Sequence, residues 1–171
     1  NLGDDLLGGL LKATDPETGQ PYSDERLRHE VLTLVLAGHE TTATLLSWSL
    51  TETARHPEDW KKLQAQVDAQ VGKNVPTDKE LMGVKAASNI VSETLRLYSP
   101  AYFLVREATE DTVVGPETSP TFVPKGTTMV MSTLHTHRNE ETWGVEKTGH
   151  KADEFHPDRF ELGRPGEMYP F

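Results

Sequence analysis

The chain has no cysteine. That absence removes disulfides, CxxC redox chemistry, thiolate nucleophiles and cysteine-ligated zinc together. Positive charge is scarce as well. Lys and Arg number 17 against 27 Asp and Glu, a net charge of −10, and no basic stripe is present to neutralise phosphates, so no nucleic-acid partner is expected. No apolar run approaches the length of a membrane-spanning helix, and Asn1 does not open a signal peptide with a basic start and an apolar centre. Repeats and low-complexity tracts are missing too. What remains, 171 residues of mixed composition, suits a soluble globular domain or a large piece of one. A piece is the expectation, because Leu6, Leu7, Leu10 and Leu11 enter in mid-pattern and Met168-Tyr169-Pro170-Phe171 stops without a polar tail.

The first 99 residues read as helical. A short helix at 2–12 gives way to the turn residues Asp15-Pro16 and Gly19-Gln20-Pro21. Ser23 is an N-cap, followed by Asp24 and Glu25 where a helix dipole favours carboxylates, and a long helix runs to about Arg55. Its apolar residues, from Leu27 and Val31 through Leu45, Trp48 and Leu50, cover so much of the circumference that burial on several sides is expected. Pro57 starts another helix, which Gly72 ends. Thr77 to Glu80 form a capping box, and a helix from about Lys85 to Tyr98 stops at Ser99-Pro100. Residues 100–133 carry short β-branched runs around Leu104, Val113, Phe122 and Met129, separated by Gly and Pro, which predict a small antiparallel sheet. From 134 to 171 the chain is a polar meander with brief helices. Helices first and strands later make the fold class α+β, mainly helical.

Two patterns stand out. Ala37-Gly38-His39-Glu40-Thr41-Thr42 interrupts the most apolar helix with residues that together cost about 2 kcal/mol against alanine. Gly38, Thr41, Thr42 and Leu45 share one face, and a glycine there lets a flat partner approach the backbone, though a helix crossing at small residues has the same pattern. A zinc-protease H-E-x-x-H motif fails, since its second histidine falls on Ala43. The second pattern is Glu93 and Arg96, at i, i+3. An exposed salt bridge is the ordinary outcome of such spacing, but the apolar neighbours Ile90, Leu95 and Leu97 favour burial, with Arg159 as a third member brought in by Phe155, Pro157 and Phe160.

In this order the segments resemble the haem-thiolate monooxygenases, the cytochrome P-450 family. Ala37 to Thr42 is similar to the I-helix motif A-G-x-[DE]-T-T, Glu93 to Arg96 to the K-helix E-x-x-R, and Phe155 to Phe160 to the meander F-x-P-x-R-F. His137-Arg138 and Trp143-Gly144 lie between them as in many members. The resemblance implies a haem b cofactor, with Ala37, Gly38 and Thr42 against the porphyrin and Arg106 on a propionate. It implies Thr41 and Glu40 as the catalytic pair that hydrogen-bonds dioxygen or its water and relays protons. Glu93, Arg96 and Arg159 become a structural charge network, and Ala101, Tyr102 and Phe103 line a pocket for an apolar substrate.

Tyr169-Pro170-Phe171 resembles the start of the loop that carries the iron-ligating cysteine, with Phe171 beside the cofactor and the ligand about seven positions further on. No residue present replaces it. His135, His137, His150 and His156 show no metal-ligand spacing, so no metal site is assigned. The expected parent inserts one oxygen atom of dioxygen into a small lipophilic molecule, a fatty acid being suggested by the lead-in 15–26. Electrons come from a reductase or a fused reductase domain, and the whole of 1–171 belongs to one haem domain. The isolated chain is expected to be inactive. A catalytically silent helical binding module and a peroxide-using member of the family are the rival readings. Location would be cytoplasmic for a bacterial parent and at the endoplasmic-reticulum membrane for a microsomal one.

Overall fold

In the computed structural model, which describes residue 3 and residues 5–161, the chain divides into two compact units, Asn1–Ala43 and Thr44–Phe171, and one long helix contributes to both.

In the first unit, α1 (Leu6–Lys12) is capped by Asp5, whose carboxylate accepts from the Gly8 amide at 2.7 Å. The following loop closes on itself. The Asp15 amide donates to the Gln20 carbonyl at 2.8 Å, and the Asp15 side chain accepts from the Glu17 and Thr18 amides and pairs with Arg26. Those bonds hold the Asp15 carboxyl below its ordinary value, the two amides contributing most. Arg26 also lies over the Tyr22 ring at 4.3 Å. Helix α2 (Asp24–Arg55) then starts where Ser23 accepts from the Arg26 amide. Leu6, Leu7 and Leu10 of α1 and Val31, Leu34 and Val35 of α2 line an open apolar groove.

In the second unit, the C-terminal part of α2 is followed by α3 (Pro57–Gln70), α4 (Asp78–Gly83) and α5 (Lys85–Leu97). Pro57 opens α3 because the first helical position needs no amide donor, and Gly72, at φ 64°, takes the left-handed conformation that ends it. Thr77 and Glu80 make the expected capping box. Strand β1 (Phe103–Glu107) pairs antiparallel with β4 (Thr128–Ser132), and β2 (Thr112–Val114) with β3 (Thr121–Val123). The expected small sheet is thus two ladders. The β2–β3 hairpin is inserted within the connection of the other pair, whose ladder ends as Ala108 bonds to Thr127 and Gly126. The meander holds α6 (Thr133–Thr136), α7 (Glu140–Trp143), α8 (Val145–Thr148) and a 3₁₀ turn, Pro157–Phe160. Ile90, Leu97 and Phe155 form the core cluster, with Leu63 and Tyr98 against it.

The burial of α2 differs from expectation. Among the described residues its buried side chains are Ser49, Glu52 and Thr53, whereas Leu34, Val35, Leu36, Leu46 and Leu50 are exposed. Ser49, Glu52 and Thr53 share a face at i, i+3, i+4, and that face meets α5: Ser49 donates to the Thr94 hydroxyl at 3.1 Å. Small polar residues, not the leucines, make this crossing.

Candidate functional site

The last turn of α5 is covered on all sides, residues 93–97 all being buried, and Glu93 and Arg96 are buried with it. Each side chain is 0% exposed. Glu93 accepts from Arg96 Nε at 2.7 Å and Nη2 at 2.9 Å, from Arg159 Nε at 2.9 Å and from the His156 amide at 2.8 Å. Two cations against one anion leave an excess positive charge, which backbone carbonyls offset. Arg96 donates to the carbonyls of His137 (2.6 Å), Ala152 (2.5 Å) and Glu154 (3.1 Å). Arg159 donates to the carbonyls of Trp143 (2.7 Å), Lys151 (3.0 Å) and Glu154 (3.1 Å) and to the Thr148 hydroxyl (2.6 Å). Every N–H of both guanidiniums is therefore committed, five donors each. Burial pulls Arg159 below its ordinary value and the Glu93 charge opposes that pull.

The shell around this network was partly hidden in the sequence. His137 is wholly buried, not solvated as the polar meander suggested. Its Nδ1 lies 3.2 Å from the Arg96 carbonyl, and burial pushes its pKa down. Trp143, also 0% exposed, has its ring 5.3 Å from the Arg96 guanidinium. The rings of His150 and His156 stack at 4.1 Å, and burial followed by the neighbouring imidazole lowers His150. The carbonyls of Ala152, Lys151 and Glu154 carry no side-chain signal that could have announced them.

On α2, Ala37, Gly38, Glu40 and Thr42 are exposed and Thr41 is half-buried. The Thr41 hydroxyl donates to the Ala37 carbonyl at 2.6 Å, so the helix stays continuous while its side chain meets its own ladder. A Cβ built on Gly38 meets nothing within 4 Å. This open, small-residue face fits the approach of a flat porphyrin. The chain has no cysteine, so nothing in it supplies a thiolate ligand.

Arg106 is exposed on β1, opposite Met129, and donates to the Val105 carbonyl at 2.8 Å. Tyr102 and Phe103 meet edge to face at 4.9 Å and are both exposed, while the Ala101 carbonyl accepts from Thr133 at 3.1 Å. Tyr102 lines a cavity of about 330 Å³ together with Thr44, Trp48, Tyr98, Leu134 and Arg138, whereas Phe103 and Ala101 are not among its walls. Arg138 Nη2 donates to the Leu97 carbonyl, and its buried Nη1 and the Trp143 indole nitrogen have no hydrogen-bond partner among the described residues. Phe171 lies outside the described residues.

The family model described as Cytochrome P450 matches residues 3–171. The chain is 37% identical over 157 residues to the bifunctional cytochrome P450/NADPH--P450 reductase 2 of Bacillus subtilis, covering 92% of this chain and 14% of that protein. It is 37% identical over 167 residues to the cytokinin hydroxylase of Arabidopsis thaliana (95% and 30%), and 35% identical over 172 residues to the cytochrome P450 monooxygenase himC of Aspergillus japonicus (97% and 29%). The chain thus spans between about a seventh and a third of the length of these relatives. A buried, fully bonded Glu93–Arg96–Arg159 network, an open A-G-H-E-T-T helix face and a match along nearly every residue agree: the chain belongs to the cytochrome P450 family.

Proposed function

We propose that residues 1–171 are one part of a single haem-thiolate monooxygenase domain, which inserts one atom of dioxygen into a lipophilic small molecule. The observation that carries this reading is the Glu93–Arg96–Arg159 network, in which three Arg96 donors to the His137, Ala152 and Glu154 carbonyls and the Arg159 Nε donor to Glu93 tie the meander to α5. A binding module would not need a buried charge cluster of this cost to hold an irregular loop.

Bound haem b supplies the iron at which dioxygen is activated by electrons from a reductase. The chain's own residues do the rest of the work assigned here. Ala37 and Gly38 allow a flat ring to come close to α2, and Thr42 borders it. Thr41 holds its proton on the Ala37 carbonyl, and rotation about its side chain redirects that proton toward a ligand or water. Glu40 precedes Thr41 by one residue, about 100° around the helix, so it hands protons on through water and not by direct contact. Arg106, whose donation stays on its own strand, is free to swing to a carboxylate such as a propionate. Ala101, Tyr102 and Phe103 present apolar surface to the substrate, for which a fatty acid is the class proposed. The reductase is a fused or separate domain, as the name of the Bacillus relative describes for that protein. No helix among the described residues is long and apolar enough to cross a membrane. The isolated chain is proposed to be inactive, because it contains no thiolate ligand.

The test is turnover of the longer protein carrying this chain with a fatty acid, reductant and isotope-labelled dioxygen. One labelled oxygen atom in the product is expected. Product without label, or no product under good haem incorporation, contradicts the proposal.

A further inference from the structure

Glu52 is a buried carboxylate on α2 that the proposed chemistry does not use; its side chain is 4% exposed. The Tyr98 hydroxyl donates to its Oε1 at 2.9 Å, across 46 residues of sequence. Arg55 Nη1 reaches the same oxygen at 3.3 Å, and His56 Nδ1 lies 3.6 Å from Oε2. On its other side the Tyr98 ring stacks on Trp48 with centroids 4.1 Å apart and planes within 3°. Trp48 is 38% exposed and Tyr98 half-buried behind it. Aromatic pairs often meet edge to face, so a near-parallel contact at this distance gives unusually direct overlap of the two π systems.

We propose that Trp48, Tyr98 and Glu52 form a one-electron oxidation relay, in which Tyr98 reduces an oxidised Trp48 and gives its phenolic proton to Glu52. The step balances. A tryptophan radical cation, a neutral phenol and a carboxylate become a neutral indole, a neutral tyrosyl radical and a carboxylic acid; the electron crosses the stack and the proton crosses the 2.9 Å hydrogen bond. The initiating co-reactant is an outer-sphere transition-metal one-electron oxidant that meets the exposed edge of Trp48. A phenol that loses an electron becomes a very strong acid, so its oxidation near neutral pH is easy only when a base already accepts its hydrogen bond. Glu52 is that base. Burial and the neighbouring carboxylate keep the Tyr98 phenol protonated in the resting state. The relay involves only residues of the second unit and does not depend on haem.

The experiment is flash oxidation of the full chain by photogenerated ruthenium(III) tris-bipyridine, followed by transient absorption and freeze-trapped electron paramagnetic resonance. A tryptophan radical that decays into a neutral tyrosyl radical is expected, with the decay slowed in heavy water. In Tyr98→Phe the tyrosyl signal disappears and the tryptophan radical persists. Trp48→Phe lowers the tyrosyl yield, and Glu52→Gln slows the decay on the order of 100-fold. A tyrosyl signal that survives in Tyr98→Phe, and so sits on Tyr22, Tyr102 or Tyr169, overturns the proposal, as does an unchanged decay in a folded Glu52→Gln. Should Glu52→Gln lose its circular dichroism, the heavy-water measurement on the unsubstituted chain decides: no slowing overturns the relay.

Discussion

Arg159 Nε lies 2.9 Å from Glu93 Oε1, joining a helix to a loop 66 residues further along the chain in a site from which solvent is excluded. A salt bridge of this kind is poor evidence for net stability, since an apolar replacement of the whole cluster can be as stable. Removing one member is different. Glu93→Ala leaves two buried guanidiniums facing each other, and a loss of about 3–5 kcal/mol is expected in urea denaturation of the chain. A Glu93→Ala chain with an unchanged midpoint contradicts the network's structural role.

Arg159→Lys separates charge from geometry. Lysine keeps the charge but has three donors where Arg159 makes five bonds, so at least two of the bonds to Glu93, Trp143, Lys151, Glu154 and Thr148 are lost. Each acceptor keeps a second partner, so the expected cost is about 0.5–1.5 kcal/mol per bond lost, read as a drop in the thermal midpoint. Full retention of stability in Arg159→Lys contradicts the assignment of those bonds.

His137 sets a pH dependence. Burial lowers its folded-state pKa beneath the ordinary 6.5, so the unfolded chain takes up the proton first as pH falls. Its contribution is fully present above about 6.5 and is lost as pH drops from there toward the folded-state value. His150, lowered as well, acts in the same direction. Urea midpoints measured on either side of this window should fall with pH, and His137→Asn should flatten the slope while lowering stability throughout. A slope of opposite sign rules out burial of the neutral ring.

Thr41→Ala and Gly38→Ala test the α2 face from two sides. In the isolated chain both replace weaker helix formers, and a methyl on Gly38 meets nothing within 4 Å, so stability rises by about 0.5 kcal/mol for Thr41→Ala and up to about 1 kcal/mol for Gly38→Ala. In the complete enzyme the same changes harm function. Thr41→Ala diverts electrons into peroxide or water, measured as reductant consumed per product. Gly38→Ala, whose added methyl would stand on the face proposed for the flat cofactor, is expected to lower haem content. Unchanged coupling in the first, or unchanged haem in the second, contradicts the role given to that residue.

Much of this architecture is legible in the sequence. Ser23, Pro57, Gly72 and the Thr77–Glu80 box mark helix ends through local chemistry, and local chemistry is what a sequence records most directly. The Glu93–Arg96 pair was visible as spacing, and Arg159 through the aromatic residues around it. What could not be read were contacts made by the backbone, such as the carbonyls of Ala152 and Lys151, and contacts across long separations, such as Tyr98 with Glu52. The leucines of α2 misled for a related reason. Apolar character around a helix states a need for cover without stating what supplies it, and within the described residues its buried face is Ser49, Glu52 and Thr53.

The most direct measurement on the central reading is the absorption spectrum of the ferrous, carbon monoxide-bound form of the longer protein carrying this chain, taken beside the 171-residue chain titrated with haem. The longer protein should show the strongly red-shifted Soret band of a thiolate-ligated haem, and the chain alone should show neither that band nor tight one-to-one haem binding. A haem-replete longer protein without the shifted band, or a chain that binds haem tightly without any cysteine, would contradict the assignment.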